Sequence, residues 1–320
     1  MPLVVGIDEA GYGPLLGPLV VAGTLWRVAP AQIGGDFWRW LAAGVCRTSG
    51  GKDIRVPVGD SKQVFDRKRG LTTLERTVLA FGGAVGLRCD TVRDLLAGLG
   101  AEAMINAAQC PWYRDLSRPL PVDPARSACT GATQRLAAAM AVGSVTCCGL
   151  QSRVVTEDAF NRRLVQTRNK AALVAEAVLG LIDWAGRHCG DQDLYVWVDR
   201  LGGRADYRGL LMQAFPARHL HVLEVSDARS RYRLAAPQCD WHIEFVVAGE
   251  QAHLPIALAS MLAKYVRELL MDGFNAYWRS LAPQLRPTAG YYRDAQRFIA
   301  DIIPLVDRAG CPLEHFVRAR

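Results

Sequence analysis

No apolar run in this sequence reaches the roughly 20 residues that a membrane-crossing helix needs, so no segment reads as a membrane span. The apolar N-terminal stretch carries Asp8 and Glu9 and no basic leader, so we do not expect it to act as a signal peptide. There is no internal repeat of fixed period, which excludes solenoids and propellers. The nine cysteines show no C-x-x-C spacing, and one adjacent pair, Cys147-Cys148, falls in a strand-like run. Scattered reduced thiols fit this pattern better than a disulfide framework or a zinc site. The six histidines are also dispersed; the close pair His219 and His221 alternates along a strand-like segment, which favours a structural role over a metal pair. With Gly 30 and Pro 16, neither disorder nor a fibrous repeat is indicated. These absences lead us to expect a soluble, cytoplasmic protein with no membrane partner; the sequence does not indicate an oligomeric state, and a monomer is assumed.

What is present points to one large fold. Half of the 320 residues are hydrophobic, enough for a sizeable core. We expect one domain over 1–320, with an elaboration at about 90–140 and a C-terminal helical extension at about 254–320. The elaboration is too patchy in apolar content for a core of its own, and its stretch from Cys110 to Pro124 is proline-rich. The net charge of +7 favours polyanionic partners, nucleic acid foremost. That charge becomes informative if the active site is acidic. Acids gathered in a basic chain suggest metal ions held against a phosphate substrate.

The organising stretch is Val4-Val5-Gly6-Ile7-Asp8-Glu9-Ala10-Gly11-Tyr12-Gly13-Pro14, an apolar run ending in two carboxylates and a glycine-rich turn. A second apolar run, Pro18 to Leu25, follows, giving strand, turn, strand. Adjacent strand residues face opposite ways. Asp8 and Glu9 therefore converge only if the chain bends at the glycines; otherwise they simply mark a strand end. Further strands are expected at 144–155, at 193–199 (ending in Asp199) and at 220–225, with a hairpin over 229–248. Helices are expected at 35–45, 67–81, 91–99, 133–141, 171–188, 205–215, 256–271 and 293–303. In the helix 171–188, Leu173, Val174, Ala177, Val178, Leu181 and Ile182 recur at helical spacing. Helices between the later strands imply parallel pairing.

Five motifs in order resemble the type 2 ribonucleases H (ribonucleases HII and HIII). They are Gly6 to Pro14 with Gly17-Pro18, Asp60-Ser61-Lys62, Val198-Asp199, Ala259-Ser260-x-x-Ala263-Lys264-x-x-Arg267, and the C-terminal Gly290-Tyr291 and Pro312-x-x-x-x-x-Val317-Arg318. The resemblance implies a ribonuclease H-like α/β fold: a mixed five-stranded sheet flanked by helices, with the first and fourth strands adjacent and Asp8 beside Asp199. It further implies a metal-dependent endonuclease that hydrolyses the RNA strand of RNA–DNA hybrids, or ribonucleotides embedded in DNA. Asp8, Glu9, Asp199 and Glu268 would hold two divalent cations, Mg²⁺ or Mn²⁺. Hard cations choose carboxylate oxygens, and a pair of them activates water and stabilises the leaving oxygen of a phosphodiester.

By the same resemblance, Gly11, Gly13 and Tyr291 would recognise the 2′-hydroxyl that separates RNA from DNA. Tyr291 reads equally as core packing. Lys62 is a substrate contact or part of a helix cap, and Lys264 a phosphate contact or a solvated helix lysine. Tyr12 stands where the family usually has arginine, and can stack on a base or sugar. Glu268 stands where aspartate is usual, and Asp272, one turn on, competes with it as a ligand. Two alternatives remain open: a catalytically impaired nucleic-acid-binding relative, and a nuclease of the same chemistry with another substrate.

Overall fold

The computed structural model describes residues 1–48, 53–61, 70–106, 108–122 and 129–319, less the side chains of 130, 307 and 308. Its strands are β1 (Leu3–Ala10), β2 (Leu19–Val28), β3 (Val45–Cys46), β4 (Val56–Pro57), β5 (Val145–Val155), β6 (Leu194–Asp199), β7 (His219–Val225), β8 (Arg229–Ala235) and β9 (Trp241–Val246). Seven form one sheet in the order β5-β2-β1-β6-β9-β8-β7, while β3 and β4 make a short parallel pair. β1 is antiparallel to β2 and β2 to β5; β6 is parallel to both β1 and β9. This mixed α/β sheet has the expected class, with an antiparallel meander leading into parallel strands.

The expected five strands become seven, and the fifth place is filled differently. The segment read as the fifth strand, 220–225, lies at the far edge of the sheet, antiparallel to β8. The second arm of the hairpin, β9, sits beside β6 instead. The hairpin itself pairs as its sequence suggests, Tyr232 opposite Ile243. Val222, Leu223 and Val225 are exposed, so the apolar content of β7 reflects strand preference and not burial.

β1 is buried along most of its length because both of its faces are covered. Leu3, Val5 and Ile7 join the core under the helix Lys170–Cys189, whereas Val4 faces the helix Leu254–Leu281. The helix Lys170–Cys189 starts at Asn169, whose side chain accepts from the Ala171 amide at 2.9 Å. Its buried face carries the six apolar residues expected from spacing.

The helix Leu254–Leu281 packs across β1 and β2. Pro255, in its first turn, needs no amide partner. Thr24 Oγ1 donates to the Pro255 carbonyl at 2.8 Å, fixing the helix start against β2. Gly6 permits this approach, since a Cβ there would lie 2.2 Å from the Pro255 carbonyl carbon. Gly6→Ala should therefore cost about 3 kcal/mol or more, by the overpacking of a site with no room to yield. A denaturant midpoint checks this, and an unchanged midpoint would show that the helix start moves freely.

The 90–140 segment contributes Val92, Leu95, Leu96, Leu99, Trp112 and Tyr113 to the core that the long helix covers. Trp112 meets Phe274 edge-on at 5.4 Å. Elsewhere the ends of expected helices shift: 67–81, whose residues 67–69 lie outside the described residues, is otherwise observed as Thr72–Ala84, 133–141 as Cys129–Gly143, and 35–45 as the single turn Phe37–Trp40.

Beneath this segment Tyr113 donates to Glu157 Oε1 at 3.0 Å, and Glu157 is wholly buried. Burial pushes the Glu157 carboxyl up to about 7. A raised carboxyl is better tolerated protonated in the folded chain, so its stabilising contribution is full below about 4.5 and falls as pH rises towards 7. The gap corresponds to about 3 kcal/mol. Glu157→Gln should flatten the loss of melting temperature between pH 5 and 7.5. A parent and variant that lose stability in parallel across that range would refute the assignment.

Candidate active site

The β1–β6 register pairs Ile7 with Val198, and its next step sets Asp8 beside Asp199. Neighbouring strands lie about 4.8 Å apart, so two carboxylates from distant parts of the chain share one sheet end. Asp8 is only 7 % exposed, and its Oδ1 accepts from the Glu9 amide at 2.7 Å. Burial first, then the Glu9 and Asp199 charges, hold its carboxyl well above the usual carboxylate range; the Ser260 hydroxyl and the Glu9 amide pull the other way.

Asp199 Oδ1 accepts from the Gly249 amide at 2.8 Å, so the turn after β9 is tied to the end of β6. That bond delivers Glu250 to the site. Ser260 donates to Glu250 Oε2 at 3.1 Å and shares a 3.0 Å hydrogen bond with the Ser61 hydroxyl. Ser260, Lys264 and Arg267, spaced by four and three along the long helix, form one wall.

The result is a cleft of about 230 Å³. Asp8, Glu9, Asp199 and Glu250 supply its acids; Gly11, Tyr12 and Tyr291 line its rim. Tyr291 is 49 % exposed, so its ring is presented to solvent and not packed in the core. The Arg267 guanidinium lies 5.5 Å from that ring centre and donates to the Leu16 and Ala289 carbonyls. Gly11, at φ +90°, passes so close to Arg267 that a Cβ would sit 2.7 Å from Nε. Glycine is thus required there both by conformation and by contact.

Glu268 does not line this cleft. It lies one turn past Lys264, about 6 Å along the helix, and its Oε1 accepts from Lys264 Nζ at 3.2 Å and lies 3.5 Å from Arg267 Nη1. Asp272 is turned elsewhere, bonded to Arg118 at 2.9 Å. Gly13 is outside the lining residues, and Lys62 lies outside the described residues. Glu250 was missed in the sequence. Its signal is the apolar run Phe245-Val246-Val247 followed by Ala248-Gly249 and an acid, the same strand-then-carboxylate grammar as Asp8 and Asp199.

Among the described residues no three carboxylate, imidazole or thiol groups are arranged as a finished cage for one ion. The donor set still suits hard cations. Glu9 and Asp199 stand beside an Asp8 whose proton affinity is raised by burial first and by their like charge second, and a divalent cation inverts that local electrostatic balance.

No protein-family model matches this chain, and no curated protein does. Among solved structures it is similar to ribonuclease HII from Archaeoglobus fulgidus, solved in a complex with PCNA: 14% identity, 99% of this chain and 94% of that one, TM-score 0.44. It is also similar to ribonuclease H2 from Pyrococcus horikoshii OT3, at 15% identity over 99% and 92% of the two chains, TM-score 0.44. A third similarity is to Bst-RNase HIII in complex with Mn²⁺, at 16% identity over 99% and 66%, TM-score 0.40.

Proposed function

We propose that this chain is a divergent type 2 ribonuclease H, a metal-dependent endonuclease acting on the RNA strand of RNA–DNA hybrids or on ribonucleotides embedded in DNA. The observation that carries the reading is the meeting of Asp8 and Asp199 on adjacent parallel strands, with Glu9 and Glu250 around the same cleft. Asp8, Glu9, Asp199 and Glu250 are the residues that would hold divalent cations, Mg²⁺ or Mn²⁺. Such a pair, when bound, supplies a nucleophile at neutral pH and charge stabilisation for the leaving oxygen.

The chain's own groups do the rest. Lys264, whose ammonium donates to Glu268 Oε1 at 3.2 Å, lines the cleft wall, where it would meet a phosphate oxygen. The Gly11–Tyr12 backbone lets a sugar approach closely, and Tyr291 presents a hydroxyl and a ring where a 2′-hydroxyl would be read. The Ser260 hydroxyl orients Glu250, as the Gly249 amide orients Asp199.

Tyr12, 38 % exposed at the rim, favours a second reading, the same chemistry on another nucleic acid. Stacking by tyrosine is indifferent to the sugar. The test is cleavage of labelled hybrid, of duplex DNA with one ribonucleotide, and of structured RNA, each with Mg²⁺ and with Mn²⁺. Cutting of the first two supports the primary reading. Cutting of the third alone supports the second, and no cutting with either ion overturns both.

A further inference from the structure

We propose that Arg318 is a positioning residue: its buried guanidinium fixes the backbone of the Gly11–Gly17 loop, making the segment Glu314–Ala319 a working part of the substrate cleft. The inference rests on the reading of that cleft as the nucleic-acid site.

Arg318 is 2 % exposed. Its Nη1 donates to the carbonyls of Gly11 at 2.5 Å and Gly17 at 3.4 Å, and its Nη2 donates to that of Tyr12 at 2.9 Å. Its own amide donates to the Leu15 carbonyl at 2.8 Å. One residue near the end of the sequence thus holds four carbonyls of the loop that follows β1. Arg318 itself is not among the cleft's lining residues, whereas Gly11 and Tyr12 are. Any effect on substrate must pass through the loop.

The helix Glu157–Thr167 is built to receive this arginine. Glu157, Phe160 and Asn161, at i, i+3 and i+4, share one helix face. The guanidinium carbon stands 4.0 Å from the Phe160 ring centre. Asn161 Nδ2 donates to the carbonyls of Glu314 at 2.6 Å and Val317 at 2.8 Å, and its Oδ1 accepts from the Ala319 amide at 2.8 Å. The backbone is therefore clasped on both sides of Arg318. Burial and the Arg267 charge disfavour the charged guanidinium, and the Glu157 carboxyl, in the fraction that is ionised, offsets part of this. Burying a cation without such compensation is costly, and the ring face and the carbonyls offset more of the cost.

Removing the guanidinium leaves loop carbonyls without donors, and buried polar groups seek water when unpaired. The loop would loosen. The acids would not, because Asp8 and Asp199 stand on strands held by their own ladder. Weakened substrate positioning with intact chemistry is a KM effect.

The experiment compares the parent chain with Arg318→Ala, Arg318→Lys and Asn161→Ala. It reads hybrid-cleavage kinetics, affinity for labelled hybrid by anisotropy without added metal, amide hydrogen exchange of the peptide covering 9–18, and melting temperature. For Arg318→Ala we expect KM and the hybrid dissociation constant to rise about tenfold with kcat within about threefold, and faster exchange at the loop. Arg318→Lys, which keeps the charge but not the fork, should recover part of both. Asn161→Ala, which removes no charge, should shift the same readouts less. Should the parent cut no hybrid, exchange and affinity still decide the positioning role, separately from the proposed activity. Loop exchange and hybrid affinity equal to the parent's in Arg318→Ala and Asn161→Ala would overturn it. So would a lysine variant as impaired as alanine, with kcat and melting temperature falling together.

Discussion

Asp199→Asn should abolish hybrid cleavage, by a factor of about 10³ or more, while leaving the fold intact. The substitution is close to isosteric, and the amide oxygen of asparagine still accepts from the Gly249 amide that Asp199 Oδ1 holds at 2.8 Å. The link between the ends of β6 and β9 therefore survives. What disappears is one negative charge beside Asp8. In the cation-free protein that charge contributes to the raised proton affinity of Asp8, so its removal relieves repulsion and should leave the melting temperature equal or slightly higher. Loss of activity together with unchanged or improved stability is the signature of a group kept for chemistry and not for folding. Cleavage by the variant within tenfold of the parent, at saturating Mg²⁺ or Mn²⁺, would remove Asp199 from the reacting centre and the nuclease reading with it.

The parts of the site that were legible in the sequence are those where an apolar run stops at an acid. Val4 to Asp8 and Leu194 to Asp199 announce themselves as buried strands with a carboxylate at the end, and the alternation of parallel strands and helices brings those ends together. The crossing from β6 to β9 was less legible. Leu220, Val222, Leu223 and Val225 look like a buried strand, yet edge and central strands draw on the same residue types. Only the three-dimensional pairing shows that Trp241–Val246 lies beside β6. Glu250 follows from that crossing. It sits on a helix of four residues, Gly249–Ala252, too short for any periodicity to reveal. Its entry depends on Ala248 at φ 54°, a left-handed position held by a residue that does not advertise it. Arg318 was visible as one residue of a motif, but its bonds to Gly11 and Tyr12 span some three hundred residues of sequence. No local pattern encodes a contact of that separation.

Glu250→Gln and Glu268→Gln should separate two acids that the sequence alone cannot rank. Glu250 lines the cleft with Asp8, Glu9 and Asp199, its Oε2 accepting from the Ser260 hydroxyl. Glutamine keeps an oxygen for that bond and loses the charge a cation requires, so cleavage should fall about 10² to 10³-fold with little change in melting temperature. Glu268 stands outside the cleft between Lys264 and the almost wholly buried Arg267, whose guanidinium it approaches at 3.5 Å. Its substitution withdraws charge from a buried cation, so the expected loss is in stability, about 1 to 3 kcal/mol, with kcat within a few-fold of the parent. Hybrid cleavage and denaturant midpoints measured on both variants give opposite patterns under this assignment: activity lost and stability kept for residue 250, stability lost and activity kept for residue 268. The reverse pattern would mean that the long helix rotates or slides to bring Glu268 beside Asp8 when cations bind, and that the Lys264–Glu268 pair is a resting contact broken in the working enzyme.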